Sequence, residues 1–257
     1  MTQKLTAYER VCLARNPNRT STTDYISELF TNFIELCGDR KYADDRSIVG
    51  GTAYFNKQPV MIIAHRKGKT LEDNLACNFG MPSPEGYRKA ERLMKLADKF
   101  SLPIITFVDT KGAFPGLEAE NRGQGEAIAR CLYTLSSVNV PVISVAIGEG
   151  GSGGALALAV ANYLIMLENA IFSVLSPEGF ASILWKDASK NKEACEIMKL
   201  TAADLLKFEI ADEVINEDEH TLENIRKSID SRLKTLLNTE DVALQRYNKL
   251  RKIGNTL

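Results

Sequence analysis

Histidine, tryptophan and paired cysteine are what this chain has least of. Its 257 residues include two histidines, one tryptophan and five cysteines, and no two cysteines form a Cys-x-x-Cys pair. Two histidines far apart in sequence, His65 and His220, do not make a triad or a metal cluster between them. An odd number of scattered cysteines disfavours a disulfide framework or a zinc ribbon. We therefore expect free thiols and no metal site in this chain.

The chain also lacks an excess of charge and a long apolar run. Its net charge of -1 gives no electrostatic case for nucleic acid or an anionic membrane as the main partner. No run approaches the roughly 20 apolar residues of a membrane span, and the first residues lack the apolar core of a signal peptide. These absences predict a cytoplasmic protein that binds neither membrane nor nucleic acid.

Short apolar runs alternate with helical patterns along most of the chain. Residues 47–55 and 59–65 predict a hairpin, because a turn-like tripeptide joins two runs rich in β-forming residues. Continuous apolar runs followed by helices are typical of a parallel sheet that is buried on both faces. Four further strands are predicted, over 103–109, 141–147, 163–167 and 171–175.

Six segments carry apolar residues at helical spacing. They lie over 21–34, 84–100, 119–135, 155–161, 222–236 and 242–253. In the second segment, charged residues lie mostly opposite the apolar stripe, so we expect Arg88, Lys89, Arg92 and Lys95 to be solvated. No break in composition divides the chain. We predict one domain over 1–257, with N-terminal helices in 1–45, a core in 46–215 and C-terminal helices in 216–257.

The segment from Gly148 to Gly154 holds five glycines between an apolar run and a helical run. Without Cβ atoms the backbone can adopt positive φ and let a ligand approach its N–H groups closely. The first N–H groups of a helix lack intrahelical partners, and the helix dipole favours negative charge there. The segment therefore predicts a backbone site for an anion or a developing oxyanion.

The same segment also satisfies the G-x-G-x-x-G pattern of a dinucleotide fold, with Glu168 about 20 residues further on. However, the pattern comes after other strand–helix units, whereas a dinucleotide fold carries it in its first strand–helix turn. The remaining chain is too short and too helical to complete such a fold. Nucleotide binding is therefore the less favoured interpretation.

Five longer segments carry a resemblance to a known family. They are residues 78–89 (NFGMPSPEGYRK), 107–116 (FVDTKGAFPG), 122–124 (RGQ), 147–155 (IGEGGSGGA) and 176–185 (SPEGFASILW). Together they closely resemble the carboxyltransferase alpha subunits of bacterial acetyl-CoA carboxylase, over nearly the whole chain. The resemblance implies an α/β fold of the crotonase/ClpP-like type, a superhelix of repeated ββα units with N- and C-terminal helices.

The resemblance also implies an activity and partners. The family transfers carboxyl from carboxybiotin, held on the biotin carboxyl carrier protein, to acetyl-CoA, and so makes malonyl-CoA in the first committed step of fatty acid biosynthesis. Alpha subunits work with a zinc-ribbon-bearing beta subunit, as α2β2, and with biotin carboxylase. The zinc belongs to the beta subunit. We therefore expect this chain to be nearly inactive alone.

Site residues follow from the resemblance as well. The backbone N–H groups of Gly153 and Gly154 correspond to the oxyanion hole for the biotin carbonyl, while Gly150 and Gly151 shape the turn. A neighbouring wall is expected from the loop Gly112, Ala113, Phe114, Pro115 and Gly116. The family usually has Asp-Thr-Pro-Gly-Ala where this chain has Lys111 in place of proline, so the local loop geometry is expected to differ.

Several other residues have structural interpretations that we favour over catalytic ones. His65 is expected to end a strand without a catalytic role, Asp109 to order its loop, and Trp185 to serve packing rather than bind biotin. Glu149 and Glu178 are expected to orient loops or to face an interface. We expect Arg66, Lys67 and Lys69 to be solvated, with contact to the phosphates of CoA as the alternative.

Two rival functions share these features. A self-sufficient acyl-CoA hydratase or isomerase would use the same fold and one oxyanion hole, but it needs a carboxylate in the pocket that delivers a proton. A non-catalytic scaffold subunit would only complete the interface of its partner.

Overall fold

The computed structural model describes residues 5–254, and their strands form one eight-stranded sheet. The strands are β1 (Thr31–Glu35), β2 (Ile48–Phe55), β3 (Gln58–His65), β4 (Ile104–Thr110), β5 (Val142–Gly151), β6 (Tyr163–Leu167), β7 (Ile171–Ser173) and β8 (Glu213–Ile215). Their spatial order is β1-β2-β3-β4-β5-β6-β8, and β7 pairs with the end of β5. The first three strands pair antiparallel, while β3 to β6 and β8 run parallel.

Helices pack on this sheet, and the last two follow its final strand in the chain. They are α1 (Ala7–Ala14), α2 (Thr22–Leu29), α3 (Leu71–Ala76), α4 (Pro84–Lys99), α5 (Leu117–Asn121), α6 (Gln124–Ser137), α7 (Ser152–Ala159), α8 (Pro177–Trp185), α9 (Asn191–Met198), α10 (Ala202–Lys207), α11 (Thr221–Leu237) and α12 (Val242–Lys252), with 3₁₀ turns at Asn78–Gly80 and Ala188–Lys190. The main hydrophobic core joins β2 to β6 with the apolar faces of α2, α4, α6, α7 and α11.

The predicted hairpin is confirmed. Strands β2 and β3 pair from Ile48 with His65 to Phe55 with Gln58. The turn is made by Asn56 and Lys57, which both have positive φ, as a tight hairpin turn requires. The predicted parallel strands, the long helix α4 and the C-terminal helices α11 and α12 are also present.

The helix predicted over 21–34 is too long. Ser21 does cap α2 through a capping box with Asp24, but the helix ends at Leu29. Phe30 is extended, and the residues after it form the edge strand β1. Pairing with β2 satisfies their backbone groups, and Ile34 is left 61% exposed. The helical spacing of apolar residues was therefore coincidental beyond Leu29.

The helix predicted over 119–135 is interrupted. Two helices, α5 and α6, meet at Gly123, whose φ of 84° lies in the left-handed region. That conformation separates the two helices, and glycine adopts it at little cost.

The predicted solvation of the charged face of α4 is wrong for Lys89. Its side chain is fully buried, and its Nζ donates to Asp44 Oδ1 at 2.7 Å and to the carbonyl of Asp45 at 2.8 Å. Arg88 pairs with Asp39 and Glu85, each at 2.8 Å. Lys89 can be buried because Asp44 and the Asp45 carbonyl, which are distant in sequence, pair with its charged group.

The glycine segment differs most from its predicted form. Strand β5 continues through it to Gly151, since its last three residues pair with β7, from Glu149 with Ile171 to Gly151 with Ser173. The following helix begins at Ser152 rather than at Ala155. A single long strand therefore pairs first with β4 and β6 and then with β7, where the prediction had a turn.

Candidate functional site

The backbone takes a left-handed conformation at the junction between β5 and α7. Gly151 is the N-cap of α7 and provides no side-chain cap. Ser152 follows with a φ of 52°, a left-handed conformation that is costly for a residue with a side chain. Gly153 and Gly154 are then the second and third residues of α7, where backbone N–H groups have no intrahelical partner. The predicted donors thus lie at an uncapped helix N-terminus.

Ser152 is a feature that the sequence interpretation missed. The pattern Gly150-x-Ser152-x-Gly154 is typical of a sharp strand-to-helix turn, and it could have located the bend. In enzymes with such a turn the serine is a nucleophile activated by a histidine. Here Ser152 is exposed, and its hydroxyl has no hydrogen-bond partner among residues 5–254. The geometry therefore supports a role in the turn.

Close packing explains most of the glycines. A Cβ on Gly151 would lie 2.1 Å from the carbonyl oxygen of Lys111, and one on Gly154 would lie 2.6 Å from the backbone nitrogen of Ala113. Neither contact is compatible with a side chain. Gly153 differs, because a Cβ there would meet only Ile128 Cγ2, at 3.5 Å. Gly153 is thus the one residue of these three that has room for a side chain.

The loop after β4 lies against this junction, where the predicted wall was expected. Thr110 Oγ1 accepts a hydrogen bond from the N–H of Gly112 at 3.0 Å and donates to the Gly112 carbonyl at 2.8 Å. Further along, Gln124 Nε2 donates to the carbonyls of Phe114 and Pro82, at 3.1 and 2.9 Å. Within the loop Gly112 is buried, Pro115 is exposed, and Ala113, Phe114 and Gly116 are intermediate.

An ion-pair network fixes the end of β5 from the other side. Lys67 Nζ lies 2.6 Å from Asp109 Oδ1 and 3.2 Å from Glu149 Oε2. Arg15, at the end of α1, contacts Glu149 at 2.8 Å and Glu178 at 2.9 Å. Asp109 Oδ1 also accepts the backbone N–H of Glu149 at 2.9 Å, the loop-ordering role predicted for it. The network joins four separate parts of the chain at the glycine strand.

These pairs correct the expectation that the basic stretch after β3 is only solvated. Lys67 is half-buried in the network, and Arg66 pairs with Asp73 at 2.9 Å. Lys69 is exposed and pairs with Asp24. The role of Arg15 was not predicted at all.

Glu149 and Lys67 both keep their charges at neutral pH. Burial alone would raise the pKa of Glu149, but Lys67 and Arg15 outweigh it and hold that pKa below its ordinary value. Burial alone would lower the pKa of Lys67, and Asp109 and Glu149 outweigh it, so that pKa is raised. Glu149 is therefore a paired carboxylate and a poor general base.

A Glu149→Gln variant is expected to lower the free energy of unfolding by about 1–3 kcal/mol at pH 7, because charge-assisted hydrogen bonds from Lys67 and Arg15 are weakened. The depressed pKa of Glu149 contributes stability that is present above the unfolded value of 4.5 and is lost as the pH falls through the folded pKa. Denaturant titrations from about pH 7 down to about pH 3.5 should therefore show the wild type and variant converging. A constant difference across that range would contradict this account.

Two cavities flank Lys111 beside the junction. One, of about 610 Å³, lies between residues 14–24 and the ends of β3, β4 and β5, and the other, of about 260 Å³, is bordered by Gly150, Gly151 and the start of α8. Lys111 is exposed and has no ion-pair partner within residues 5–254. Ligands of open parallel sheets bind outside the carboxyl ends of the strands, and both cavities are there.

The remaining candidates lie away from this junction or serve packing. Trp185 packs edge-on against Phe180, with 5.9 Å between ring centroids. His220 is exposed, on a charged segment. Across the described part of the chain, no three His, Cys, Asp or Glu side chains form a group that could hold a metal ion. No helix between residues 5 and 254 is long and apolar enough to cross a membrane.

Comparison with solved structures supports the fold. The transcarboxylase 12S crystal structure with methylmalonyl-coenzyme A and methylmalonic acid bound matches with a TM-score of 0.74 at 21% identity, covering 87% of this chain and 43% of that one. The chain thus spans less than half of that structure. Likeness at this identity shows the fold, which is the predicted crotonase type.

Sequence comparison goes further. The Listeria monocytogenes serotype 4a (strain HCC23) protein named acetyl-coenzyme A carboxylase carboxyl transferase subunit alpha is 55% identical over 260 residues, 97% of this chain and 82% of the relative. A Natranaerobius thermophilus protein named for subunits beta/alpha is 54% identical over 264 residues, 98% of this chain and 43% of the relative. The family model described as acetyl co-enzyme A carboxylase carboxyltransferase-like matches residues 1–254. The chain belongs to this carboxyltransferase family.

Proposed function

We propose that this protein is the alpha subunit of the carboxyltransferase of acetyl-CoA carboxylase. It transfers carboxyl from carboxybiotin on the carrier protein to acetyl-CoA, giving malonyl-CoA for fatty acid biosynthesis. The observation that carries this proposal is the uncapped N-terminus of α7, with the N–H groups of Gly153 and Gly154 at its first turn, in a chain of this family. We propose that residues 1–257 act as one domain in the cytoplasm.

The first turn of α7 can bind the ureido carbonyl of biotin. The backbone at Gly151 and Gly154 packs closely against the neighbouring loop, where a Cβ would come within 2.1 and 2.6 Å of it, and this packing fixes the position of the turn. When bound, carboxybiotin would supply the carboxyl group and a ureido oxygen that becomes more negative as the carboxyl leaves. Gly153 and Gly154 would donate their N–H groups to that oxygen, and the dipole of α7 would add to them.

Backbone donors of this kind account for a large share of catalysis. One donor in an oxyanion hole contributes on the order of 10²–10³ in rate, about 3–4 kcal/mol. The chain's own residues then hold those donors in place: the loop at 112–116 closes one side, and the network of Lys67, Asp109 and Glu149 fixes the strand that leads into them. No side-chain nucleophile is needed, which agrees with the unpartnered Ser152 hydroxyl.

The second half of the site belongs to a beta subunit, which provides the hole for the thioester of acetyl-CoA. The Natranaerobius relative carries both subunit names in one chain, and this favours direct contact between the two. Large apolar side chains are exposed on this chain and suit such an interface: Leu117, Val174, Ile183 and Leu184. The complex is proposed to be α2β2 and to receive carboxybiotin from the carrier protein, which biotin carboxylase charges.

The stand-alone hydratase or isomerase is not favoured. It would need a free carboxylate beside the hole, whereas Asp109 and Glu149 both pair with Lys67. The test is a side-by-side assay of the isolated chain and of its mixture with the beta subunit of the same organism. Malonyl-CoA is expected from acetyl-CoA and carboxybiotin-loaded carrier only in the mixture, with no hydration of crotonyl-CoA in either sample. Hydration by the isolated chain would contradict the proposal.

A further inference from the structure

A third cavity, of about 330 Å³, lies between α4, the start of α6 and the loop that follows β1. Its wall shares no residue with the glycine segment, and its volume is typical of a small-molecule site. Six residues of the wall are cations: Lys41, Arg88, Arg92, Lys95, Arg122 and Arg130. Three are carboxylates: Asp39, Glu91 and Glu126. The wall therefore has an excess of positive charge.

The carboxylates of the wall are already paired with cations. Their nitrogen–oxygen distances are 2.8 Å for Asp39 with Arg88, 2.6 Å for Glu91 with Lys95 and 3.4 Å for Glu126 with Arg130. Arg122 pairs with the buried Glu85 at 2.9 Å. Two of the six cations, Arg92 and Lys41, have no carboxylate partner within residues 5–254. An incoming anion would thus find two cations that no acidic side chain neutralises.

Arg92 is held in place by backbone carbonyls instead of an ion pair. Its Nε donates to Gly38 at 3.1 Å, and its Nη2 donates to Leu36 and Cys37 at 2.7 and 3.2 Å. Its Nη1 has no hydrogen-bond partner among residues 5–254. Burial, followed by the charge of Arg40, lowers the pKa of Arg92, but an arginine stays charged in a protein. The cavity therefore contains a fixed guanidinium with one free donor group.

The start of α6 adds backbone donors to the same wall. Gly123 lines the cavity and is the N-cap of α6, and it provides no side-chain cap. The first N–H groups of a helix lack intrahelical partners, and the helix dipole favours negative charge beside them. The helix N-terminus and the Arg92 guanidinium therefore favour the same kind of ligand.

We propose that this cavity is a second binding site of the chain, which takes a phosphate group through Arg92, Lys41 and the first turn of α6. A guanidinium suits phosphate because its planar N–H groups can meet two oxygens at once. The phosphate can come from a free phosphate compound or from the nucleotide end of CoA, since both present the same oxygens. The inference does not depend on the proposed function, because binding at this cavity is measured without turnover.

The test is calorimetric titration of sodium diphosphate into the complete chain, alone and in complex with the beta subunit. We expect one diphosphate per chain, and a Kd that is about 10-fold or more weaker in Arg92→Gln, the effect of one charge-assisted hydrogen bond. Lys41→Gln is the second variant, and we expect it to weaken binding too. Its side chain is exposed and makes none of the bonds that hold Arg92, so the wall should stay intact.

Lys99→Gln is the matched control, because Lys99 is also an exposed lysine but lies at the end of α4 and outside the cavity wall. Its Kd should equal that of the wild type. Displacement of diphosphate by CoA would identify the substrate's own phosphates as the ligand, and no displacement would identify a free phosphate compound. Two results would overturn the site: no saturable binding at millimolar diphosphate, or an equal Kd in the wild type and both variants. Loss of binding on addition of the beta subunit would also overturn it, since the cavity would then belong to the subunit interface.

Discussion

The Gly153→Pro variant is expected to fold and to assemble with the beta subunit, and to lose about 100-fold or more of its turnover. Proline removes the backbone N–H of residue 153, which the account assigns to the oxyanion hole. At the second position of α7 that N–H has no intrahelical partner, so the helix itself loses no hydrogen bond. The Cβ of the new residue also has room, because it would meet only Ile128 Cγ2, at 3.5 Å.

Gly153→Ala is the control for that variant. It introduces the same Cβ but keeps the N–H, so turnover close to that of the wild type is expected. Both variants are compared at saturating malonyl-CoA and biotin, after gel filtration shows that each forms the complex and a thermal scan shows that each is folded. Equal turnover in the two variants would mean that the N–H of Gly153 is not a catalytic donor.

The Gly154→Ala variant is expected to lose both stability and turnover. Its Cβ would lie 2.6 Å from Ala113 N and 2.8 Å from the carbonyl carbon of Gly112, and backbone atoms cannot rotate away as a side chain can. Overpacking of this kind costs about 1–3 kcal/mol in the free energy of unfolding. The loop and the first turn of α7 must separate, and displacement of a reacting group by about 1 Å costs on the order of 10² in rate.

The measurement is a denaturant titration together with the reverse carboxyl-transfer rate of the complex. Gly125→Ala on α6 is the control, because a Cβ at Gly125 meets no atom within 4 Å. Alanine is favoured over glycine within a helix by roughly 1 kcal/mol, so the control should be slightly more stable and fully active. Wild-type stability and turnover in Gly154→Ala would contradict the tight contact on which the site description depends.

Local patterns in the sequence were sufficient for much of the fold. Continuous apolar runs located β4 and β5, and helical spacing located α4, α11 and α12, because these elements bury the residues that their period selects. The prediction failed where pairing between distant segments decided the structure. Residues after Leu29 became a strand because the edge of β2 was available, and β5 ran on to Gly151 because β7 lay beside it.

The candidate site was also predictable only in part from the sequence. Glycine content marked the junction between β5 and α7, and the segments that resemble a known family indicated Gly153 and Gly154. The network at the end of β5 could not be predicted, since Arg15 reaches Glu149 across 134 residues of sequence and Lys67 reaches it across 82. Lys89 looked like a surface residue for the same reason, because its partners Asp44 and Asp45 come from a loop far earlier in the chain.

The claim that this chain holds half of a divided active site is tested most directly by titration with the beta subunit. Carboxyl transfer from malonyl-CoA to free biotin is measured at a fixed concentration of this chain while the beta subunit is added. With a divided site, we expect no turnover without the beta subunit and a linear rise that stops at equal amounts of the two chains. Turnover by this chain alone, or none at any ratio although the complex forms, would contradict it.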